Sequence, residues 1–114
     1  MKKQTRSAIC GLSALTVAAL LAPLAFSAAP AKGNEGKGRY YFRQTCKDCH
    51  VKGGKGGEVS PLTKTIAQWK SYFVKGKHNG EPLGTLLNPD QMRDVQTFLV
   101  AHAADSLQPE TCGK

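Results

Sequence analysis

Cys46-Lys47-Asp48-Cys49-His50 decides how this chain is read. Two cysteines three positions apart fall on one face of a helical turn, so both thiols point the same way. The next residue is a histidine, whose imidazole leaves from the same short segment. C-x-x-C-H is the attachment pattern for haem c. The two thiols reach the two vinyl groups as thioethers, and His50 turns its ring nitrogen to the iron from the same side. Two other chemistries use such residues. A redox dithiol wants a βαβ setting, and no β-alternation is visible here. A structural zinc site wants four ligands at close spacing, and only Cys112 with a scattered histidine could complete one.

Upstream of the motif, Met1-Lys2-Lys3-Gln4-Thr5-Arg6 is a short cationic head. Ala8 to Phe26 is an apolar run interrupted by Ser13, Thr16 and Pro23, and small residues follow from Ser27 to Ala31. This is the layout of a cleaved signal peptide over residues 1–31, with the cut after Ser27 or Ala31. It addresses an exported, periplasmic protein, which suits a motif that receives haem outside the cytoplasm. The second reading of the run is an uncleaved membrane anchor, because a span needs about 20 apolar residues. Pro23 and the small-residue tail favour cleavage.

The whole chain has 114 residues, 16 Lys and Arg, 8 Asp and Glu, and a net charge of +8. Without residues 1–31 it keeps 83 residues, net charge +5, three cysteines and Met92 as its one methionine. A single domain over 32–114 is expected, and a multidomain enzyme is excluded. So small a domain wants a staple, and a haem would supply the missing apolar core.

Lys32 to Lys37 reads as a flexible lead-in, and a helix is expected from Gly38 to Cys49. Lys52 to Pro61 reads as a Gly-rich loop. A second helix is expected over Thr63 to Val74, with Ile66, Trp69, Tyr72 and Phe73 on one side. Gly76 to Gly84 reads as loop. Asn88-Pro89-Asp90 has the chemistry of a helix start, namely a cap, a proline at the first turn and an acid at the positive end. That helix should bury Met92, Val95, Phe98 and Leu99 and run to about Ala104. Asp105 to Lys114 reads as a flexible tail. The fold class expected is all-α.

With these residues in view, residues 36 to 102 resemble the class I monohaem c-type cytochromes. Gly38, Phe42 and Cys46 are similar to that family's first helix, in which a glycine and an aromatic meet the last helix. Leu87 to Leu99 is similar to the last helix, with Phe98 as its aromatic. The resemblance implies about three helices wrapped around one covalently attached haem c. Ser60-Pro61-Leu62 resembles a segment whose proline carbonyl accepts a hydrogen bond from the haem-ligating histidine, here His50. Trp69 is similar to an aromatic near the haem propionates, although an ordinary core tryptophan reads the same way.

The sixth ligand is where the chain departs from the family. The family commonly has a methionine before its last helix, where this chain has Gly80-Glu81-Pro82-Leu83-Gly84. His78, between Gly76 and Gly80, is the leading candidate, since a neutral imidazole binds iron well. Met92 reads first as core, and His102 as a cation suited to a helix C-terminus. Both remain candidates, as do Cys112, water and an open site.

Cys112 is left unpaired once the haem takes Cys46 and Cys49, so a disulfide-linked dimer or a reactive thiol is expected. Residues 32–77 carry a net charge of +8 and residues 78–114 a net charge of −3. A basic face beside the motif would steer an acidic redox partner. Export and the lack of a recognition module argue against nucleic acid. No catalytic residue set appears. The expected role is therefore one-electron transfer between larger redox partners, at low potential if His50 and His78 both bind iron. The alternatives are a haem sensor, ligand-binding or peroxidatic protein with an open or displaceable sixth site, and a haem subunit docked permanently to an oxidoreductase.

Overall fold

Helix α1 (Glu35–Tyr41) begins where Asn34 accepts a hydrogen bond from the Lys37 amide at 2.8 Å, with Glu35 in its positive first turn. It starts earlier than the periodicity suggests. The lead-in is fixed by two bonds to the last helix, from the Gly33 amide to Thr97 Oγ1 (3.1 Å) and from the Asn34 amide to Asp94 Oδ1 (2.7 Å). The regular α-helix does not continue to Cys49. It widens into a π-helical turn, Phe42–Cys46, in which the Lys47 amide reaches the Phe42 carbonyl. Such a turn inserts a residue and re-aims the side chains beyond it. A computed structural model describes residues 31–111. The leader reading of residues 1–31, apart from Ala31, and the thiol of Cys112 lie outside these residues.

A 3-10 turn, Pro61–Thr63, leads to helix α2 (Ile66–Lys75). Thr65 and Gln68 cap each other, and Gly76 ends the helix at φ 62°. The next segment adds a small sheet to the otherwise helical chain. Strands β1 (Lys77–His78) and β2 (Glu81–Pro82) pair antiparallel, with His78 opposite Glu81. Between them Asn79 and Gly80 sit at φ 50° and 83°. Two positive φ values in a two-residue loop make a type I′ turn, for which Asn-Gly is the favoured pair. The chain is thus mostly helical, with three α-helices and one small two-stranded sheet among the described residues.

Helix α3 (Pro89–Ala101) has the expected start, with Asn88 and Gln91 capping each other and Pro89 in the first turn. It stops at the cap residue His102, short of Ala104, whose amide turns aside to the Lys64 carbonyl. Helices α1 and α3 touch at Gly38, where a Cβ would lie 2.0 Å from the Asp94 carbonyl oxygen. The contact continues through Phe42 and Phe98, ring centroids 5.7 Å apart. The core gathers these two with Trp69, Leu87, Val95 and Leu99, and Met92 packs against it.

The segment after Asp105, read as flexible, is tied down as far as Glu110. The Asp105 carboxylate accepts from the Ile66 amide at 2.7 Å, at the positive end of α2. Arg39 donates to both oxygens of Glu110, at 2.5 and 3.1 Å, and the Glu110 amide donates to the His102 carbonyl. Among the described residues no helix is long and apolar enough to cross a membrane.

Candidate functional site

The π-turn, α2 and the hairpin surround a cavity of about 530 Å³. This lies within the size range of cofactor sites. Phe42, Trp69, Leu83, Leu87, Val95 and Leu99 give it apolar walls. Four residues with donor chemistry line it, namely Cys46, Cys49, His50 and His78. Its charged lining residues are the cations Lys55 and Lys64, and Lys64 Nζ stands 5.8 Å from the centroid of the Trp69 ring.

Cys46, Cys49 and His50 are held by the turn that ends the π-helix. The amides of Cys49 and His50 both donate to the Cys46 carbonyl, at 3.3 and 3.0 Å. Both cysteines are free thiols. Cys49 is exposed, whereas burial pushes the Cys46 thiol from 9.0 up to about 11. Tyr72 is also shifted upward, first by burial and then by the neighbouring Cys46.

His50 is oriented by the Gly-rich loop. Its Nδ1 lies 2.9 Å from the Gly56 carbonyl oxygen and 3.2 Å from that of Gly57. A proton on Nδ1 donates to these carbonyls and leaves Nε2 as the free lone pair. Gly56 has to be glycine for this approach, since a Cβ there would lie 2.6 Å from His50 Nδ1 and Cε1. This corrects the expected bond to Pro61. The Pro61 carbonyl instead accepts from Trp69 Nε1 at 2.8 Å, in a buried contact. Two glycines without side chains bring their carbonyls to the imidazole first, and proline's oxygen is turned to the indole. Trp69 is a core residue and a cavity wall at once.

His78 enters from the opposite element. Strand β1 carries it, and the Leu83 amide closes the hairpin base on the Gly76 carbonyl at 2.8 Å. Its ring meets that of His50 edge to face, centroids 5.5 Å apart. Its Nδ1 lies 3.1 Å from Tyr72 Oη, and neither histidine's Nε2 has a hydrogen-bond partner among the described residues.

The other sixth-ligand candidates among the described residues do not line this cavity. Met92 is half-buried against the core. His102 caps α3, with Nδ1 2.9 Å from the Gln108 carbonyl oxygen and Nε2 2.5 Å from the Glu35 carboxylate. Among the described residues no three His, Cys, Asp or Glu side chains converge on a bare metal ion. Two thiols and two imidazoles therefore share one apolar cavity without converging as a three-residue metal site.

Sequence reasoning missed Tyr72 as a partner of His78, and the Gly56 and Gly57 carbonyls as partners of His50. The hairpin did have a signal, Asn79-Gly80. The Tyr72–His78 contact had none, because periodicity assigned Tyr72 only an apolar face. Comparison of the chain with protein-family models, curated proteins and solved structures finds no match.

Proposed function

We propose that this chain is an exported monohaem c protein that carries single electrons between redox partners, with His50 and His78 as the axial ligands. One observation carries the reading. The imidazole adjacent to the two C-x-x-C thiols meets a second imidazole edge to face, ring centroids 5.5 Å apart, in the lining of one apolar cavity, and each has Nδ1 occupied and Nε2 without a partner among the described residues.

The haem, when bound, supplies a one-electron Fe(III)/Fe(II) couple. The chain does the rest. Cys46 and Cys49 would hold the haem covalently as thioethers. His50 and His78 offer neutral imidazoles rather than a thioether, which favours the ferric state and a low potential. The Gly56 and Gly57 carbonyls hold the His50 proton on Nδ1 and raise the basicity of its Nε2. The apolar walls exclude water. Lys55 and Lys64 complement an anionic edge such as haem carboxylates, and the basic residues 32–77 would steer an acidic partner protein.

The test is production in a host that attaches haem c. Haem should remain with the chain after acid-acetone extraction. The ferric protein should be low-spin, with a bis-imidazole EPR signature and no thioether-to-iron absorption band. Haem that extracts freely, or a high-spin ferric protein that binds CO readily, would sink the reading and favour a sensor or a ligand-binding role.

A further inference from the structure

Resting on the assignment of His78 as an axial ligand, we propose that Tyr72 is its positioning residue, a phenol on α2 that fixes the orientation of His78 and closes the sixth site to competing ligands. His78 sits on a hairpin whose strands are two residues each, joined by a turn with two positive φ values. Four backbone residues cannot by themselves hold an imidazole at one angle. The side chain therefore needs an anchor from a longer element, and Tyr72 Oη, 3.1 Å from His78 Nδ1, provides one.

The anchor is itself locked. Tyr72 meets Trp69 edge to face with centroids 6.0 Å apart, and Phe73 at 5.3 Å. Trp69 is buried and pinned by its N–H to the Pro61 carbonyl. A chain of contacts thus runs from the 3-10 turn through the indole and the phenol to His78.

The direction of the bond is set by ligation. If Nε2 binds iron, the remaining ring proton is on Nδ1, so Nδ1–H donates and the Tyr72 oxygen accepts. This bond raises the donor strength of Nε2, as second-layer partners of metal-bound histidines do. The two histidines are then unequal. His50 donates to two backbone carbonyls that nothing short of a loop change removes, whereas His78 donates to one side chain. The hairpin side is the side at which an incoming ligand displaces a histidine.

Tyr72→Phe tests this, because it keeps the ring and its packing and removes only the hydroxyl. Tyr40→Phe, at a tyrosine 60% exposed, is the control. In the haem-loaded protein, Tyr72→Phe should speed CO binding to the ferrous form about tenfold. It should also raise the reduction potential and shift the ferric low-spin EPR signal, with covalent haem retained and Tyr40→Phe unchanged in all three. A Tyr72→Phe protein identical to wild type in CO rate, potential and EPR overturns the role of Tyr72 and leaves bis-imidazole ligation standing. A wild-type spectrum without bis-imidazole ligation overturns both.

Discussion

The His50 and His78 rings stand edge to face, planes 77° apart and centroids 5.5 Å apart, although one lies just past a π-helical turn and the other rides on a hairpin. No hydrogen bond joins them. Each is held by its own Nδ1 partner, so the pair is a convergence of two separately built supports. Each support can be removed alone, with distinguishable results.

If the chain carries haem c as proposed, removing His78 should leave the haem attached, because Cys46, Cys49 and His50 belong to the other element. His78→Ala is expected to retain covalent haem, turn the ferric form high-spin and bind CO without a competing imidazole. Met92→Leu and His102→Ala should leave the spectrum as in wild type, since neither side chain lines the cavity. Absorption and EPR spectra of the three variants check this. A high-spin His102→Ala or Met92→Leu protein beside a low-spin His78→Ala protein would reverse the assignment.

Removing the opposite support requires adding an atom. A Cβ at residue 56 would fall 2.6 Å from the His50 ring, so Gly56→Ala must displace either the ring or the loop. Overpacking of this kind costs about 1–3 kcal/mol. A lower yield of haem-loaded protein and a raised reduction potential should accompany the loss. Gly84→Ala, where a Cβ meets nothing within 4 Å, is the matched control. Equal denaturation midpoints for the two variants would argue against the cradle.

How much of this was legible beforehand varies with the physics of each element. The cap of α3 is local chemistry between neighbours, and Asn88-Pro89-Asp90 marked its helix start well, whereas the Thr65 cap of α2 was not read and that helix was begun at Thr63. The Gly38 approach to α3 and the Phe42–Phe98 contact were legible through the resemblance, and the structure has both. The π-turn was not legible. No residue type in Phe42–Cys46 announces it. The same holds for His50, whose carbonyl partners are chosen by loop geometry and not by Pro61. The ordered tail was missed because its anchors, Arg39 and Glu110, lie 71 positions apart in sequence.

The two free thiols should differ in reactivity. Cys49 is exposed and Cys46 half-buried, its thiol pushed up to about 11. Folding therefore favours the protonated Cys46. That contribution is complete below pH 9 and is lost as pH climbs from there through 11. Since the thiolate is the nucleophile, a thiol reagent at neutral pH should modify Cys49 first, and Cys46 should catch up as pH approaches 11. Peptide mapping after timed alkylation of the haem-free chain reads both rates. Equal rates at neutral pH would contradict the burial of Cys46.

The α1–α3 crossing is the least forgiving contact. A Cβ on Gly38 would lie 2.0 Å from the Asp94 carbonyl oxygen and 2.9 Å from Phe98 Cβ. The first obstacle is helix backbone, which cannot rotate away. Gly38→Ala is expected to cost about 3 kcal/mol or more, which is a large share of a small domain's stability. Gly36→Ala on the same helix meets only the Asn34 side chain, at 3.4 Å, and should be tolerated. Urea midpoints compare the two directly. A Gly38→Ala protein as stable as Gly36→Ala would mean that the helices do not cross at this distance.

The Arg39–Glu110 pair holds the C-terminal segment against α1 with two hydrogen bonds. The guanidinium also lies 4.8 Å from the centroid of the Phe98 ring, so it serves the core as well as the tail. Their side chains remain 33% and 24% exposed, which keeps the charge interaction near the ~1 kcal/mol of a good surface pair. Arg39→Ala loses both contacts and should cost more than Glu110→Gln, which loses the charge and one of the two hydrogen bonds but leaves the guanidinium over Phe98. The excess combines the stacking on Phe98, about 0.5–1 kcal/mol, with the one hydrogen bond that Gln can keep. Hydrogen exchange should rise at the Glu110 amide in both variants, while the Ile66 amide, held by Asp105, stays protected. Equal stability losses would show that the cation over Phe98 contributes nothing beyond the ion pair.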